Sequence, residues 1–281
     1  MSDKEREDYE RQIAQLKEEV KLLRDEKNTL QKQILELRGD STAEPSKIEN
    51  SGSKNLPDMV SIPNKYYMIG MHPVTQELWE SVMGNNPSQY KGKHRPVECL
   101  SWTDCIRFCN KLSERDGFTK AYRIKTYDGE DEDIEASDVV CDFQADGYRL
   151  PTDWEWWFAA TGNQALAYSG SDDIDDVAWY QDNSDGHTHD VGTKNPNGFG
   201  IYDMNGNVHE WCWDWWDRYT WENYGQPPTE DSKGPEEGTA KLIRGGTFDS
   251  SAEYCRLDKQ VWAYVDGMED YVGIRLCRTV Y

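Results

Sequence analysis

From Tyr9 to Leu37 one set of residues recurs in alternating steps of four and three: Tyr9, Ile13, Leu16, Val20, Leu23, Lys27, Leu30, Ile34 and Leu37. A helix with this 3.5-residue seam has to bury it against a partner helix, so residues 1–38 are predicted to form a coiled coil. Ile13, Val20, Lys27 and Ile34 take the a positions and leucines take d from Leu16 onward, while Glu19 is placed to meet Arg24 of a second helix. That pattern favours a parallel pair, hence a homodimer, with an isolated helical stalk as the alternative. Gly39 stops the helix, and the polar DSTAEPSKIENSGSKN that follows reads as a flexible linker over residues 39–56. A globular domain is expected over residues 57–281.

The chain carries 53 acidic and 31 basic residues, a net charge of -22. Residues 1–38 hold ten acids and nine bases, so the excess lies downstream, with dense runs in DGEDEDIE (Asp128–Glu135) and DDIDD (Asp172–Asp176). A field of this sign repels nucleic acid and anionic membranes. The runs read as solvated loops, because a cation site needs carboxylates at set offsets rather than in a row. Seven cysteines without CxxC spacing argue against a disulfide framework or a zinc site. Cys105 and Cys109 share one helical face, where small apolar packing is their expected role. No apolar run approaches the ~18 residues of a membrane span, and no signal peptide precedes the charged MSDKE start.

Within the domain, Ser101 and Asp104 open a helix that carries Ile106, Cys109 and Leu112 on one face and ends at Gly117. Thr152 and Glu155 do the same for TDWEWWFAATG, which stops at Gly162. LIRGGTF and VGIRLCRTV alternate as strands do. Short elements and many loops point to an α+β domain. The stretch RGGTFDSSAEYC joins paired glycines, which permit torsions that side chains forbid, to Asp249–Tyr254, which has no period and reads as surface. Beyond it, Tyr254, Trp262, Tyr264 and Tyr271 offer rigid aromatic area with polar tips, and Ser250, Ser251 and Gly267 offer adaptable surface. This is the residue mix of evolved paratopes. The cluster Trp211, Trp213, Trp215, Trp216 and Trp221 reads mostly as core, and His187 and His189 as part of a Gly- and Asp-rich turn.

Six motifs run in order from Met71 to Cys277: MHPVTQELWESVMG, RPVECLSWTDCIRFCNKLSERDG, GYRLPTDWEWWFAATG, NPNGFGIYDMNGNVHEWCWDWW, IRGGTFDSSAEYCR and VGIRLC. Together they resemble the formylglycine-generating-enzyme (sulfatase-modifying factor) domain, which has a C-type-lectin-type fold. The resemblance implies an oxidase that holds copper between two cysteines five residues apart, after the paired glycines. Here the second position is Cys255 and the first is Ser250. A hard hydroxyl does not replace a soft thiolate, so the broken pair implies no enzyme activity and no catalytic cofactor. DMNGNVHEW resembles the family's calcium loop, which implies Asp203, Gly206, Val208 and Glu210 as ligands of a structural Ca2+, with His209 where the family usually has tryptophan.

From Arg244 to Leu276 the sequence is also similar to the variable region of proteins diversified by diversity-generating retroelements. The frame of that region matches Arg244, Gly245, Gly246, Phe248, Cys255, Arg256, Val272, Gly273, Ile274, Arg275 and Leu276. Between frame positions such proteins use codons like AAC, randomised at adenine. Asp249, Ser250, Ser251, Tyr254, Val261, Ala263, Tyr264, Gly267, Asp270 and Tyr271 are reachable from AAC, whereas Glu253, Lys259, Gln260, Trp262 and Glu269 need another codon or are fixed. The resemblance implies a ligand-binding surface made of Asp249, Ser250, Ser251, Glu253, Tyr254, Val261, Trp262, Ala263, Tyr264, Gly267, Glu269, Asp270 and Tyr271. Its implied partner is a macromolecule, a protein rather than a nucleic acid. It further implies display on the cell surface through a lipid anchor, with the leader outside this sequence; a cytoplasmic location is the alternative. A fixed structural or sugar-binding domain is the competing reading, although Glu-Pro-Asn and Trp-Asn-Asp sugar motifs are absent.

Overall fold

A computed structural model of the chain describes residues 56–125, 135–216, 228–230 and 232–281. The expected coiled coil at 1–38 and nearly all of the 39–56 linker lie outside the described residues, as do most of the DGEDEDIE run and Trp221. In chain order the elements are β1 (Met59–Ser61), β2 (Tyr67–Gly70), α1 (Gln76–Met83), α2 (Trp102–Asp116), β3 (Tyr122–Ile124), β4 (Val139–Cys141), β5 (Tyr148–Arg149) and α3 (Asp153–Thr161). They continue with α4 (Ile174–Val177), β6 (Ala178–Trp179), β7 (Asn205–Gly206), β8 (His209–Trp216), β9 (Ala240–Arg244), β10 (Val261–Ala263), β11 (Val272–Gly273) and β12 (Cys277–Thr279).

The two longer helices start where their capping residues stand. At α2 the Ser101 hydroxyl accepts from the Asp104 N–H at 3.0 Å while Asp104 accepts from the Ser101 N–H at 3.1 Å, satisfying two donors that a helix start leaves open. Thr152 and Glu155 repeat the arrangement at α3, and Gly117 and Gly162 end the two helices in the left-handed region. α2 buries Cys105, Ile106, Cys109 and Leu112 as its spacing predicts, and Phe108 stacks on Trp79 of α1 with ring centroids 4.7 Å apart. α3 buries Trp154, Trp156, Ala159 and Ala160, so it is enclosed rather than laid on a surface.

Two four-stranded sheets hold these helices. One has the order β1-β2-β12-β5 and the other β10-β9-β8-β11. VGIRLCRTV, expected as one strand, is divided between them. Val272 and Gly273 pair in parallel with β8, Cys277–Thr279 pair antiparallel with β2 and β5, and Ile274, Arg275 and Leu276 cross between the sheets fully enclosed. The break has a physical reason: Arg275 reaches Glu210 on β8 and the Gly70 carbonyl on β2 at once, which a continuous strand in one sheet would not permit. Among the described residues, no helix is long and apolar enough to cross a membrane.

Candidate functional site

β9 ends in Arg244, and that side chain ties the next segment to the core. Its Nε donates to the buried Asp153 carboxylate at the start of α3, and its Nη1 donates to the carbonyls of Leu257 and Lys259 at 3.2 and 2.8 Å. Gln260 reaches the second Asp153 oxygen at 2.8 Å. Residues 257–260 are thereby fixed just before β10, which adds to β9 as an edge strand in the register Val261–Ile243, Trp262–Leu242 and Ala263–Lys241.

The paired glycines make the preceding turn. Gly245 and Gly246 have φ of 101° and 75°, and a Cβ on Gly246 would stand 2.6 Å from the Cys255 sulfur. The turn is held from below by His209, whose Nδ1 accepts the Gly246 N–H at 3.1 Å. Burial drives the His209 pKa down to about 4, so the ring is neutral and able to accept. This role was invisible in the sequence, where His209 stood only as a departure from the calcium-loop pattern.

Over this frame the candidate residues fall into three groups. Asp249, Ser251, Glu253, Tyr254, Trp262, Tyr264, Glu269 and Tyr271 are exposed, and Asp270 is half-buried and adds to burial in raising the pKa of the nearby Tyr90 hydroxyl. Val261 and Ala263 instead turn inward and pack on the core, because alternation along β10 sends only Trp262 outward. Ser250 and Gly267 shape turns: the Ser250 Oγ accepts from the Thr247 N–H at 3.0 Å, and the Gly267 N–H closes a turn onto the Tyr264 carbonyl at 2.9 Å. The presented face is therefore narrower than the sequence suggested.

It also gains members. Trp216, read mostly as core with its neighbours, is half-buried like Trp213 and Trp215 and packs against the core, and its ring lies 5.2 Å from that of Trp262; Tyr264 also lies 5.2 Å from Trp262, edge to face. The three rings form one ridge drawn from β8, β10 and the turn that follows. Tyr90 is the other addition, packed edge to face on Phe248 at 5.1 Å. His187 and His189 stack in their turn, His189 on Trp179 at 3.9 Å, as turn residues rather than a clamp.

Ser250 and Cys255 do not form a pair of thiolates. Ser250 is engaged with Thr247, and Cys255 is fully enclosed, with burial pushing its thiol up to about 12. The four implied calcium ligands are close in the chain, but their carboxylates are already used. Glu210 meets Arg275 through both oxygens and also takes the Trp156 indole N–H at 2.6 Å. Asp203 takes the Gly192 N–H at 2.6 Å and stands 3.9 Å from His72. Gly206 and Val208 are buried, and Gly206 is bound into β7 against Trp179. A cation beside Glu210 would face a guanidinium, so this donor set does not fit calcium as it is arranged.

Residues 14–280 match the model of the sulfatase-modifying factor enzyme 1-like domain. The chain belongs to this family. A relative named chaperone protein LppX from Paenibacillus barcinonensis is 34% identical over 238 residues, covering 76% of this chain and 80% of the relative. A formylglycine-generating enzyme from Thermomonospora curvata is 37% identical over 125 residues, 39% of this chain and 41% of that enzyme. Among solved structures, Treponema denticola variable protein 1 superposes with a TM-score of 0.68 at 31% identity, covering 80% of this chain and 92% of that one. The family fold expected from the six motifs, a formylglycine-generating-enzyme-like C-type-lectin domain, is thus the fold of this chain.

Proposed function

We propose that this chain is a ligand-binding display protein, with a C-terminal face diversified by a retroelement to bind varied protein partners and an anchor holding it to the cell surface by lipid. One observation carries the reading: between Arg244 and Leu276 the residues sort by position in the expected frame. Arg244, Gly245, Gly246, Phe248, Cys255, Val272, Gly273, Ile274, Arg275 and Leu276 are buried and Arg256 is half-buried, whereas eight of the thirteen candidate binding residues are exposed and the other five half-buried. A scaffold can survive replacement of the exposed positions because substitutions there break no core packing. Likeness to Treponema denticola variable protein 1 over most of both chains supports the same reading.

Sequencing this gene from sister isolates tests it. The expected result is substitution concentrated at Asp249, Ser251, Tyr254, Trp262, Tyr264, Asp270 and Tyr271, with the frame unchanged and an adenine-rich near-copy close by. A face that never varies would defeat diversification. It would favour a second reading suggested by the LppX relative's name, a chaperone with a fixed client surface. Oxidase chemistry is a third reading, disfavoured by Ser250 and by the enclosed Cys255. Incubation with copper(I) and a cysteine-containing peptide is expected to give no aldehyde.

A further inference from the structure

The exposed face has a definite electrostatic character. Residues 249–271 contain six carboxylates and two cations. Both cations are engaged within the segment, Arg256 with Asp258 at 3.2 Å and Lys259 with Glu253 at 3.0 Å. Asp249, Asp266, Glu269 and Asp270 are left without a basic counterpart in the segment. Along the chain they are interleaved with the rings. Asp266 sits inside the Gly267–Tyr264 turn, two residues past exposed Tyr264, and Glu269 opens the turn whose Val272 N–H returns to its carbonyl at 3.2 Å, enclosing exposed Tyr271. Burial raises the pKa of the Tyr90 hydroxyl, and Asp270, Glu98 and Asp249 all raise it further, so carboxylates from the 249–254 loop and the 264–271 turns share its surroundings.

From this interleaving we propose that the face takes a cationic protein segment, with its arginine or lysine side chains laid over the Trp216–Trp262–Tyr264 ridge and their charges met by the flanking carboxylates. The proposal rests on the binding-face reading above and specifies the partner. Trp262 is 40% and Tyr264 59% exposed, enough ring area for a side chain to lie against. A cation over an aromatic face is drawn to the ring quadrupole, tryptophan most strongly, and carboxylates beside the ring add to the attraction. The fold already uses this contact: Lys194 Nζ lies 4.2 Å from the Trp179 ring centre and the Arg278 guanidinium 3.8 Å from that of Phe118. An apolar partner would cover the rings but strip water from the carboxylates without pairing them, which costs free energy. An anionic partner would be repelled by the face and by the chain's net charge of -22.

The net charge also sets the control that the test needs. A random peptide library displayed on phage is panned on the full chain, and an enriched sequence is synthesised and titrated by fluorescence anisotropy. Titrations use the wild type and three folded variants. One is W262A/Y264A, one is D249N/D266N/E269Q, and one is E80Q/D182N/E236Q, which removes as many exposed charges elsewhere. The expected result is enrichment of arginine and lysine, with affinity falling about tenfold or more in both face variants and little in the control. Peptides that lack basic residues yet still lose binding in W262A/Y264A would overturn the cationic partner and leave the binding face standing. Basic peptides weakened equally by the control variant would show general charge attraction and overturn the proposal. Failure to enrich any peptide, or binding indifferent to W262A/Y264A, would overturn the proposal and count against the face itself.

Discussion

Arg275 donates to both oxygens of the Glu210 carboxylate at 2.8 to 3.0 Å, with both side chains withdrawn from solvent. The same guanidinium donates to the carbonyls of Gly70, Tyr202 and Asp203, so one side chain bridges β2, β8 and the loop before β7. Removing one partner of a buried pair strands the other charge, at a cost of about 3–5 kcal/mol. Arg275→Ala is expected to lose stability on that scale in denaturant titration. A loss below ~1 kcal/mol would show that the bridge contributes little.

The engagement of Glu210 also bears on calcium. A cation bound only by the folded state would stabilise it by RT ln(1 + [L]/Kd), about 2.7 kcal/mol at a hundredfold excess over Kd. Because the carboxylate already neutralises Arg275, the expected thermal midpoint is the same in millimolar calcium and in EDTA. A rise with calcium would show that the folded chain binds the ion and would overturn this expectation.

Frame and face should separate under mutation. Gly246→Ala places a Cβ 2.6 Å from the Cys255 sulfur at a φ of 75°, so both space and torsion oppose it, and a loss of about 2 kcal/mol or more is expected. Tyr254→Ala and Tyr264→Ala remove exposed rings and should stay within about 0.5 kcal/mol of wild type, with Trp262→Ala near 1 kcal/mol because it also packs on Trp216. Calorimetry of the four variants checks the division. Equal losses in all four would dissolve it.

What the sequence disclosed was mostly local. Ser101 with Asp104 and Thr152 with Glu155 announce helix starts because the partners are three residues apart, and Gly117 and Gly162 announce the ends for the same reason. The RGG turn and the exposed tyrosines were legible too, since paired glycines and aperiodic polar residues each have a direct conformational meaning. Long-range choices were hidden. That Glu210 pairs with Arg275 depends on a residue 65 positions away, and the acceptor role of His209 depends on Gly246, 37 positions away. Val261 and Ala263 were misplaced on the face because a three-residue strand shows no period until its partner β9 is known. That Trp216 meets Trp262 was hidden because a run of tryptophans does not say which ring packs against which strand.

Lys241 supplies a pH-dependent test of how β10 is supported. It lies opposite Ala263 of β10 and Trp215 of β8, donates to the Trp213 carbonyl at 2.9 Å, and is ringed by Trp102, Trp213 and Trp215. Burial lowers its pKa to about 7, against an upward pull from buried Asp214. The unfolded chain therefore holds this proton between about pH 7 and 10.5 while the folded chain has released it. Over that window the unfolded state binds more protons, so this group makes stability rise with pH; below about 7 its unfavourable contribution is full and constant. Between pH 7 and 8.5 the gain amounts to about 1 to 2 kcal/mol, in a range above the ordinary carboxylates, while burial and Asp153 push the Asp214 carboxyl well above its usual value. Lys241→Met keeps the length and removes the charge. Denaturant titration of both proteins at the two pH values is expected to show the wild type gaining on the variant as pH rises. Parallel behaviour would mean that Lys241 keeps its proton under the tryptophans, held by Asp214 and the rings together.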